Sequence, residues 1–304
     1  MHREWEATIE LTEQQAALLI EQQFPRLAPV NMVPLGIGWD NAAFLVNERF
    51  VFRFPRRKVA AGLLEREARI LPMLAPDLPL RIPLPQYVGT TTTEYPCVFA
   101  GYALLPGRTA CQFSCTDQER LELAPVLAGF LAALHCIQIG PATLEWAPRD
   151  EIKRADVRTR APRVKERLLL NHAELDASEL QTLIDLVDDL ATTPLHTGEP
   201  SWVHGDLYAR HLLLTSPTQP VGVIDWGDVH IGDPALDLSI AWSFLPPPAR
   251  QVFRRVYGPI DDATWNRARF RAIHYGALLV EYGTDTADRS IREAGEYALR
   301  VALR

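Results

Sequence analysis

Two neighbouring stretches of the sequence decide the fold: WVHGDLYARHLLL (residues 202–214) and VIDWGDVHIGDPALDLS (residues 223–239). Each opens with a short apolar run that predicts a β-strand, and each run leads to an acidic residue, Asp206 in the first and Asp225 in the second. His211 follows Asp206 in the same loop region. Because functional side chains tend to lie on loops anchored by rigid strands, we expect these three residues to form a site.

The two acids and the histidine suit phosphoryl transfer through magnesium. Mg²⁺ takes oxygen ligands in octahedral geometry and keeps several waters, so one or two carboxylates, a further side chain and the substrate phosphates are enough to hold it. A separate carboxylate must accept the proton of the attacking hydroxyl. We therefore assign Asp206 as the base and Asp225 as a metal ligand, with His211 completing the metal site.

The segments 204–214 and 223–239 resemble the aminoglycoside and macrolide phosphotransferases, which share the protein-kinase-like fold with choline kinase and related small-molecule kinases. The resemblance implies that Asp206 is catalytic, that His211 binds magnesium and that Asp225 chelates it. The family usually has asparagine at the position of His211, and the HGDLY…H form is closest to the macrolide branch. Imidazole suits softer divalent ions better than magnesium, but a neutral ring nitrogen still has a lone pair to donate.

Three further residues in these stretches receive structural roles. His204 is expected to hold the loop, since a buried ring needs a hydrogen-bond partner. Asp233 and Pro234 predict the start of a helix, with Asp233 as N-cap and Pro234 in the first helical position. The resemblance implies that Asp237, on that helix, accepts backbone hydrogen bonds from the loop of Asp206.

Two glycines precede a predicted β-hairpin in the N-terminal part of the chain. Gly36 and Gly38 lie in a predicted loop, and the strands 43–46 and 50–54 then alternate around a short turn. Since glycine permits close approach and unusual dihedral angles, such a loop can lay backbone N–H groups against phosphates. We assign both glycines to the nucleotide site.

Four more residues are assigned to the nucleotide site by the resemblance. Arg53 stands where the family usually has a phosphate-pairing lysine, and Glu67 on the following helix is its implied ion-pair partner. Arginine can bind phosphate bidentately but is bulkier than an ammonium group. Tyr102 and Leu104 border the implied hinge, whose backbone groups face the nucleotide base. The basic residues 56–58 are interpreted as a solvated turn outside the site.

The chain as a whole predicts an α+β protein. The resemblance implies a protein-kinase-like two-lobed fold, with a small antiparallel-sheet N-lobe over residues 1–104 that binds nucleotide and a larger, mostly helical C-lobe over residues 105–304 that carries catalysis and substrate binding. The sequence outside the hairpin predicts a helix capped by Thr12, an extended proline-rich connector over 78–89, a strand that runs into a turn over 95–107, a helix over 117–137 and mostly helical structure over 150–190.

The composition is that of an ordinary globular protein. The 304 residues are 47% hydrophobic and can bury a sizeable core. The net charge is −7 without a long block of like charge, which disfavours nucleic-acid binding. We find no secretory signal pattern and no membrane-length apolar run, and the four cysteines lack paired metal-ligand motifs. A cytoplasmic enzyme with no nucleic-acid or membrane partner is expected.

These observations predict a kinase that transfers the γ-phosphate of ATP or GTP, with Mg²⁺, to a hydroxyl of an antibiotic-like small molecule, an aminoglycoside or a macrolide. A kinase of a non-antibiotic metabolite is one alternative. The departures at Arg53 and His211 allow a catalytically silent nucleotide-binding regulator as another. A third is a metal-dependent phosphoesterase built on His204, Asp206, His211 and Asp225.

The sequence leaves the acceptor open between two kinds of pocket. A polyamine such as an aminoglycoside would be bound by carboxylates, for which the candidates are Glu174, Asp176, Glu179, Asp185, Asp188, Asp189, Glu281, Asp285 and Asp288. A macrolide would need a broad apolar cleft, for which the candidates are Trp242, Phe244, Trp265, Tyr275 and Tyr282.

Overall fold

The computed structural model describes residues 7–170 and 175–304. The chain forms two compact units, the first of Met1–Pro76 with Arg81–Leu105 and the second of Asp77–Leu80 with Pro106–Arg304. The N-terminal residues and Glu174, one of the acids considered for a polyamine pocket, lie outside the described ranges.

The first unit contains the strands β1 Met32–Ile37, β2 Asn41–Val46, β3 Phe50–Pro55, β4 Pro85–Gly89 and β5 Phe99–Ala103. They form a five-stranded antiparallel sheet in the order β1-β2-β3-β5-β4. The predicted hairpin is confirmed, since Ala43 pairs with Arg53 and Val46 pairs with Phe50. Within 95–107, predicted as a strand that runs into a turn, the strand is β5.

Aromatic rings form the core of the first unit. Alternation along β2 and β3 buries Phe44, Phe52 and Phe54 together with Phe99 of β5. The rings of Phe54 and Phe99 stack with their centroids 4.7 Å apart. Two helices belong to this unit, α1 (Glu13–Gln23) and α2 (Lys58–Leu74).

The first helix begins where the sequence predicted. The hydroxyl of Thr12 accepts the N–H of Gln15, and the Gln15 side chain accepts the N–H of Thr12, which completes a capping box. Each bond satisfies a backbone donor that the first helical turn leaves without a partner. The prediction of a helix capped by Thr12 is therefore confirmed.

The second unit is mostly helical. Helix α9 packs against α5, α7 and α10, and the core there includes Val164, Phe270, Ile273 and Leu299. Every residue of α7 is buried. The helices are α3 Asp117–Cys136, α4 Pro141–Leu144, α5 Val157–Leu170, α6 Ala177–Leu190, α7 Ala235–Ser243, α8 Pro247–Tyr257, α9 Asp262–Asp285 and α10 Arg289–Leu303.

Two small antiparallel sheets in this unit carry the loops quoted at the start. Strand β7 (Ser201–Val203) pairs with β10 (His230–Gly232), and β8 (Leu212–Ser216) lies between β6 (Arg108–Thr109) and β9 (Gln219–Val223). Each predicted apolar run is therefore a strand that leads into one of the two loops. A second strand follows each loop, so both ends of the loop are held.

The start of α7 differs from the prediction by one residue. Pro234 is the N-cap of α7, one position before the predicted place, and Asp233 Oδ1 accepts the N–H of Ala235 at 2.9 Å. Asp233 still provides the capping bond, and its Oδ2 also accepts from Nε of Arg267 at 2.6 Å. Within the described ranges, no helix combines the length and apolar character needed to cross a membrane.

Gly101 provides a test of packing in the first sheet. It pairs with Phe52, and a Cβ built on Gly101 would lie 2.5 Å from Cζ of the Phe52 ring. We expect Gly101→Ala to lower the free energy of unfolding by about 2 kcal/mol, because overpacking forces core side chains out of their rotamers. Equilibrium unfolding in urea measures the change.

The matched control is Gly62→Ala in α2, where an added Cβ meets nothing within 4 Å. Alanine has the higher helix propensity, so this variant is expected to gain about 0.5–1 kcal/mol of stability. Equal destabilisation of both variants would contradict the packing argument.

Candidate active site

The loop of Asp206 follows β7 and turns sharply at Gly205. Gly205 has φ +80°, and a Cβ there would lie 2.6 Å from the carbonyl oxygen of Asp228. Both its conformation and the close approach of the neighbouring loop therefore require glycine. The turn leaves the Asp206 side chain 28% exposed, so that an acceptor molecule can reach it.

His204 connects the backbones on which the two acids lie. Its Nε2 donates to the carbonyl of Ile224 at 3.0 Å, and its Nδ1 accepts the N–H of Asp206 at 3.3 Å. A carbonyl can only accept and an N–H can only donate, so the ring is neutral with its proton on Nε2. Burial lowers the pKa of His204, which agrees with this state. The predicted loop-holding role of His204 is confirmed.

Asp237 holds the same loop from α7. Its Oδ2 accepts the N–H of His204 at 2.7 Å and its Oδ1 accepts the N–H of Gly205 at 2.8 Å. The carboxylate is completely buried. Burial raises the pKa of Asp237, but the hydrogen bond and charge of His135, with the backbone hydrogen bond of His204, outweigh burial and lower it. The role that the resemblance implied for Asp237 is present in the structure.

His135 supports Asp237 and was not predicted to do so. Its Nε2 lies 3.2 Å from Oδ2 of Asp237, and its Nδ1 lies 2.7 Å from the hydroxyl of Tyr257. No local pattern could have revealed the contact, because the two side chains are 102 residues apart in the chain.

His211 and Asp225 face each other at the predicted metal position. Nδ1 of His211 donates to the carbonyl oxygen of Asp206 at 2.7 Å, so in the neutral ring the lone pair is on Nε2. That Nε2 lies 3.3 Å from Oδ2 of Asp225. Burial by itself lowers the pKa of His211, but the hydrogen bond and charge of Asp225, with the charge of Asp206, outweigh it and raise the pKa.

The spacing of these two side chains fits a divalent cation. Adjacent ligands of an octahedral magnesium ion lie about 3 Å apart when each is about 2.1 Å from the metal. The 3.3 Å between His211 and Asp225 is close to this value. In the part of the chain that the structure describes, no three His, Cys, Asp or Glu side chains are grouped to hold a metal. Two protein ligands suffice for magnesium bound with nucleotide phosphates.

Two residues of α9 contact Asp206 and were missed as site residues. The hydroxyl of Tyr275 donates to Oδ1 of Asp206, and Nη2 of Arg271 lies 2.8 Å from that hydroxyl and 3.8 Å from the same carboxylate oxygen. Burial raises the pKa of Tyr275 well above its usual value, so it keeps its proton. Tyr275, considered above for an apolar cleft, therefore orients Asp206. It lies 69 residues away, where no motif marks it.

The second acidic loop also has an unpredicted partner. Asp225 has φ +64°, in the left-handed region, and is 49% exposed at its side chain. Three residues later, Asp228 forms an ion pair with Arg154, from the segment before α5. This pair ties the loop of Asp225 to a distant part of the second unit.

The glycine loop in the first unit is shorter than predicted. Gly36 lies on β1 and pairs with Ala43, while Gly38 begins the turn and donates its N–H to Asn41 at 2.9 Å. Asn41 is the first residue of β2. The two glycines therefore belong to different parts of the β1–β2 connection, and only Gly38 lies in the turn.

Two basic residues stabilise that turn, contrary to their interpretation as solvated. Nη1 of Arg56 donates to the carbonyl of Gly38 at 2.8 Å, and Arg57 forms an ion pair with Asp40. The contacts were missed because β2 and β3 bring residues 56 and 57 back beside the turn through the hairpin register.

The remaining predicted nucleotide-site residues also lie in the first unit. Nη1 of Arg53 lies 2.9 Å from Oε2 of Glu67, with side chains 14% and 0% exposed. Tyr102 is buried on β5, and Leu104 is 43% exposed and donates its N–H to the carbonyl of Arg49 at 2.8 Å. The structure thus joins Arg53 with Glu67 in one unit, and Asp206 with His211 and Asp225 in the other.

Several acids considered for a polyamine pocket have other partners. Glu281 accepts from Nε of Arg167 at 2.7 Å, and Asp288 caps α10 and lies 3.6 Å from Nη1 of Arg210. Asp176 caps α6. Their charges are therefore partly balanced inside the second unit.

The aromatic candidates for a macrolide cleft are mostly core residues. Trp242, Phe244, Trp265 and Tyr275 are buried, and Tyr282 is half-buried. Their surfaces are already covered by protein, so these four side chains do not line an open apolar cleft.

The sequence matches one protein family along most of its length. Residues 31–273 match the family model described as the phosphotransferase enzyme family. A stretch of 117 residues is 24% identical to the uncharacterized protein YcbJ of Bacillus subtilis (strain 168), and this alignment spans 38% of the chain and 36% of that protein. The family match includes both stretches quoted at the start.

Solved structures of similar fold cover nearly the whole chain. The GDP complex of wild-type aminoglycoside 2'-phosphotransferase-IIIa has a TM-score of 0.69 and is 25% identical, over 96% of this chain and 99% of that one. The streptomycin-ATP-APH(2")-IIa ternary complex has a TM-score of 0.60 and is 20% identical, over 96% of this chain and 97% of that one. Macrolide 2'-phosphotransferase MphH from Brachybacterium faecium has a TM-score of 0.59 and is 22% identical, over 95% of this chain and 98% of that one. The protein-kinase-like fold is confirmed.

Asp237→Asn tests the buried carboxylate. The pKa of Asp237 is lower in the folded protein than in the unfolded chain. The ionised carboxylate therefore stabilises the fold fully above the unfolded-state pKa, near 4, and this stabilisation is lost as pH falls through the folded-state pKa. We expect the variant to be less stable near pH 7 by about 3 kcal/mol, because an amide cannot replace the charge on three donors. The difference in the free energy of unfolding between wild type and variant, measured by urea titration, should shrink below about pH 4.

The control for this variant is Asp188→Asn, on the exposed face of α6, where the carboxylate lies 2.6 Å from Nζ of Lys165. Its loss is expected to cost under about 1 kcal/mol. A stability difference for Asp237→Asn that stays constant between neutral and strongly acidic pH would contradict the electrostatic role.

Proposed function

Because this chain belongs to the phosphotransferase enzyme family, we propose that it is a phosphotransferase that uses an alcohol group as acceptor. It transfers the γ-phosphate of ATP or GTP to a small-molecule hydroxyl. The observation that carries the proposal is the arrangement of Asp206 beside His211 and Asp225 on two loops held by Asp237 and His204. This arrangement separates a proton-accepting carboxylate from a pair of metal-binding side chains.

Asp206 acts on the acceptor. The acceptor hydroxyl oxygen attacks the γ-phosphorus, the bond from that phosphorus to the β-phosphate oxygen breaks, and ADP or GDP leaves. The proton of the hydroxyl passes to Asp206. Because Tyr275 binds Oδ1 of Asp206, the carboxylate has a defined orientation toward the acceptor before the reaction begins. Positioning of this kind supplies much of the rate enhancement in phosphoryl transfer.

His211 and Asp225 would hold the magnesium ion, which neutralises phosphate charge when it is bound with the nucleotide. The carbonyl of Asp206 keeps the proton of His211 on Nδ1 and leaves Nε2 as the donor atom. Asp225 is half-exposed and contributes a negative charge at the same point. An imidazole in place of the family's usual asparagine side chain is compatible with this role.

The nucleotide is assigned to the first unit. Backbone groups at Gly36 and Gly38 would contact the phosphates, and Arg53, oriented by Glu67, would bind them with its guanidinium group. Tyr102 and Leu104 would border the base. The similar structures named as GDP and ATP complexes support a purine nucleotide donor without deciding between ATP and GTP.

The acceptor is proposed to be an antibiotic-like alcohol or a related metabolite. The similar structures are named as phosphotransferases of aminoglycosides and macrolides, so these compounds form the first panel to test. Membership of the family favours transfer over phosphoesterase action. The intact pair of Arg53 and Glu67 favours an active kinase over a silent regulator. A cytoplasmic location stays a prediction.

Asp206→Asn tests the proposed base. We expect kcat for acceptor phosphorylation to fall by about 10²–10⁴, because an amide cannot accept the proton, while nucleotide affinity stays unchanged. Coupled measurement of ADP or GDP release, with and without acceptor, gives the rate. Asp188→Asn, on an exposed carboxylate of α6 that pairs with Lys165, is the control and should keep full activity. Wild-type rates in Asp206→Asn would remove it as the base.

Asp225→Asn tests the proposed metal site and should give a different result. We expect the dissociation constant of the magnesium–nucleotide complex to rise by on the order of tenfold or more, because the ligand loses its charge. Binding titrations with and without magnesium separate the effects. The two proteins should bind nucleotide equally in excess chelator, and equal binding in magnesium as well would argue against Asp225 as a ligand.

A further inference from the structure

Four arginines in the second unit act through their charges on one buried histidine, and we call them the arginine cluster: Arg154, Arg160, Arg167 and Arg271. Arg160 and Arg167 lie two turns apart on α5 and therefore share a face of that helix. Arg271 and the histidine, His274, lie one turn apart on α9. Nη1 of Arg167 is 3.3 Å from Nε2 of His274, and Nη1 of Arg271 is 3.5 Å from its Nδ1.

His274 itself carries no charge in this cluster. Its ring is buried, and burial together with the positive charges of the four arginines holds the pKa of His274 well below its usual value. The positive charge of the region therefore comes from guanidinium groups, which stay protonated at any working pH.

The arginine cluster borders Asp206. Nη2 of Arg271 lies 3.8 Å from Oδ1 of Asp206 and 2.8 Å from the Tyr275 hydroxyl that binds the same oxygen. Arg154 pairs with Asp228 on the neighbouring loop. Burial lowers the pKa of Arg154, but the negative charges of Asp228 and Asp206 outweigh burial and raise it. The guanidinium group of Arg271 therefore lies next to the carboxylate that an acceptor hydroxyl would reach.

Two arginines of the cluster donate hydrogen bonds to carboxylates. Arg154 pairs with Asp228, and Arg167 donates from Nε to Glu281 at 2.7 Å. Arg271 has a longer ion pair, since its Nη2 lies 3.8 Å from Oδ1 of Asp206. The charges of Arg160 and Arg271 are therefore less closely matched within the protein than those of the other two arginines.

Arg160 and Arg271 donate no hydrogen bond to a carboxylate within the described ranges. Arg160 donates to the backbone carbonyls of residues 152 and 153, and Arg271 donates to the Tyr275 hydroxyl. Nε of Arg271 is buried without a hydrogen-bond partner, in a side chain that is more than nine-tenths buried. Asp150 acts on Arg160 through its charge, but its Oδ2 accepts the N–H of Ala155.

Like charges held this close repel one another, and the arrangement is favourable when an anion lies among them. A planar guanidinium group binds a carboxylate or a phosphate through two parallel N–H bonds. We propose that Arg160 and Arg271 bind an anionic group, a carboxylate or a phosphate, on the acceptor whose hydroxyl is phosphorylated at Asp206. This inference rests on the proposed kinase function and names the chemical class of its acceptor.

The same charges disfavour a polycationic acceptor. Several ammonium groups placed beside the arginine cluster would be repelled, which opposes binding of an aminoglycoside at this position. Hydroxy acids and sugar phosphates carry the required hydroxyl and anionic group within one small molecule. Their phosphorylation would leave a product of still greater negative charge.

The test compares acceptors that differ in one anionic group. Nucleotide diphosphate release is measured with gluconate against glucose, with glycerol 3-phosphate against glycerol, and with kanamycin as the polycation. We expect the anionic member of at least one pair to have the higher kcat/KM by about tenfold or more, as expected for charge-assisted hydrogen bonds. Preference for the carboxylate pair or the phosphate pair identifies the anionic group.

Arg160→Gln should remove that preference. We expect the KM of the anionic acceptor to rise by about tenfold or more, with a much smaller change for its neutral counterpart. The matched control is Arg163→Gln on the same helix, whose side chain is 50% exposed and lies 3.4 Å from Glu166. This variant should behave as the wild type. Equal kcat/KM for anionic, neutral and cationic acceptors would overturn the proposal while leaving the kinase function intact.

A second measurement does not depend on turnover. Sodium sulfate is titrated into the protein saturated with a non-hydrolysable ATP analogue, with sodium chloride at matched ionic strength as the reference, and binding is followed by the thermal unfolding midpoint. We expect a sulfate-specific rise that is larger in the wild type and in Arg163→Gln than in Arg160→Gln. An equal rise in all three proteins would overturn the anion site. Intact nucleotide binding with no transfer to any acceptor would instead contradict the proposed function.

Discussion

The buried carboxylate of Asp237 holds the loop on which the rest of the site depends. Its two oxygens accept the N–H groups of His204 and Gly205, and His135 lies against it on its other side. A carboxylate without solvent is stable only when donors surround it. The loop therefore has one conformation, in which Gly205 takes a left-handed dihedral angle and Asp206 faces outward.

His204 extends that constraint to the second loop. By binding the backbone at Ile224 and at Asp206, it relates the positions of Asp206 and Asp225 through one neutral ring. The carbonyl of Asp206 in turn sets the tautomer of His211. The proposed proton acceptor and the proposed metal-binding nitrogen are thus connected by hydrogen bonds and lie five residues apart in the chain.

The surroundings of Asp206 combine a precise hydrogen bond with strong positive charge. The hydroxyl of Tyr275 orients the carboxylate. Arg271, a member of the arginine cluster, donates a hydrogen bond to the same hydroxyl. Interactions between these groups are strong because most of them are buried, where water screens charge weakly. The side chains that orient Asp206 therefore also place positive charge beside it.

The sequence by itself determined the hairpin, the capped first helix, and the acids and histidine at Asp206, Asp225 and His211, because turn chemistry, apolar alternation and motif spacing are local properties. Only the tertiary structure decided that His135 supports Asp237, that Tyr275 orients Asp206, and which arginines gather beside them. These contacts join segments far apart in the chain. Their residues carry no local signal, since partners across a packed core are selected by helix packing rather than by sequence spacing.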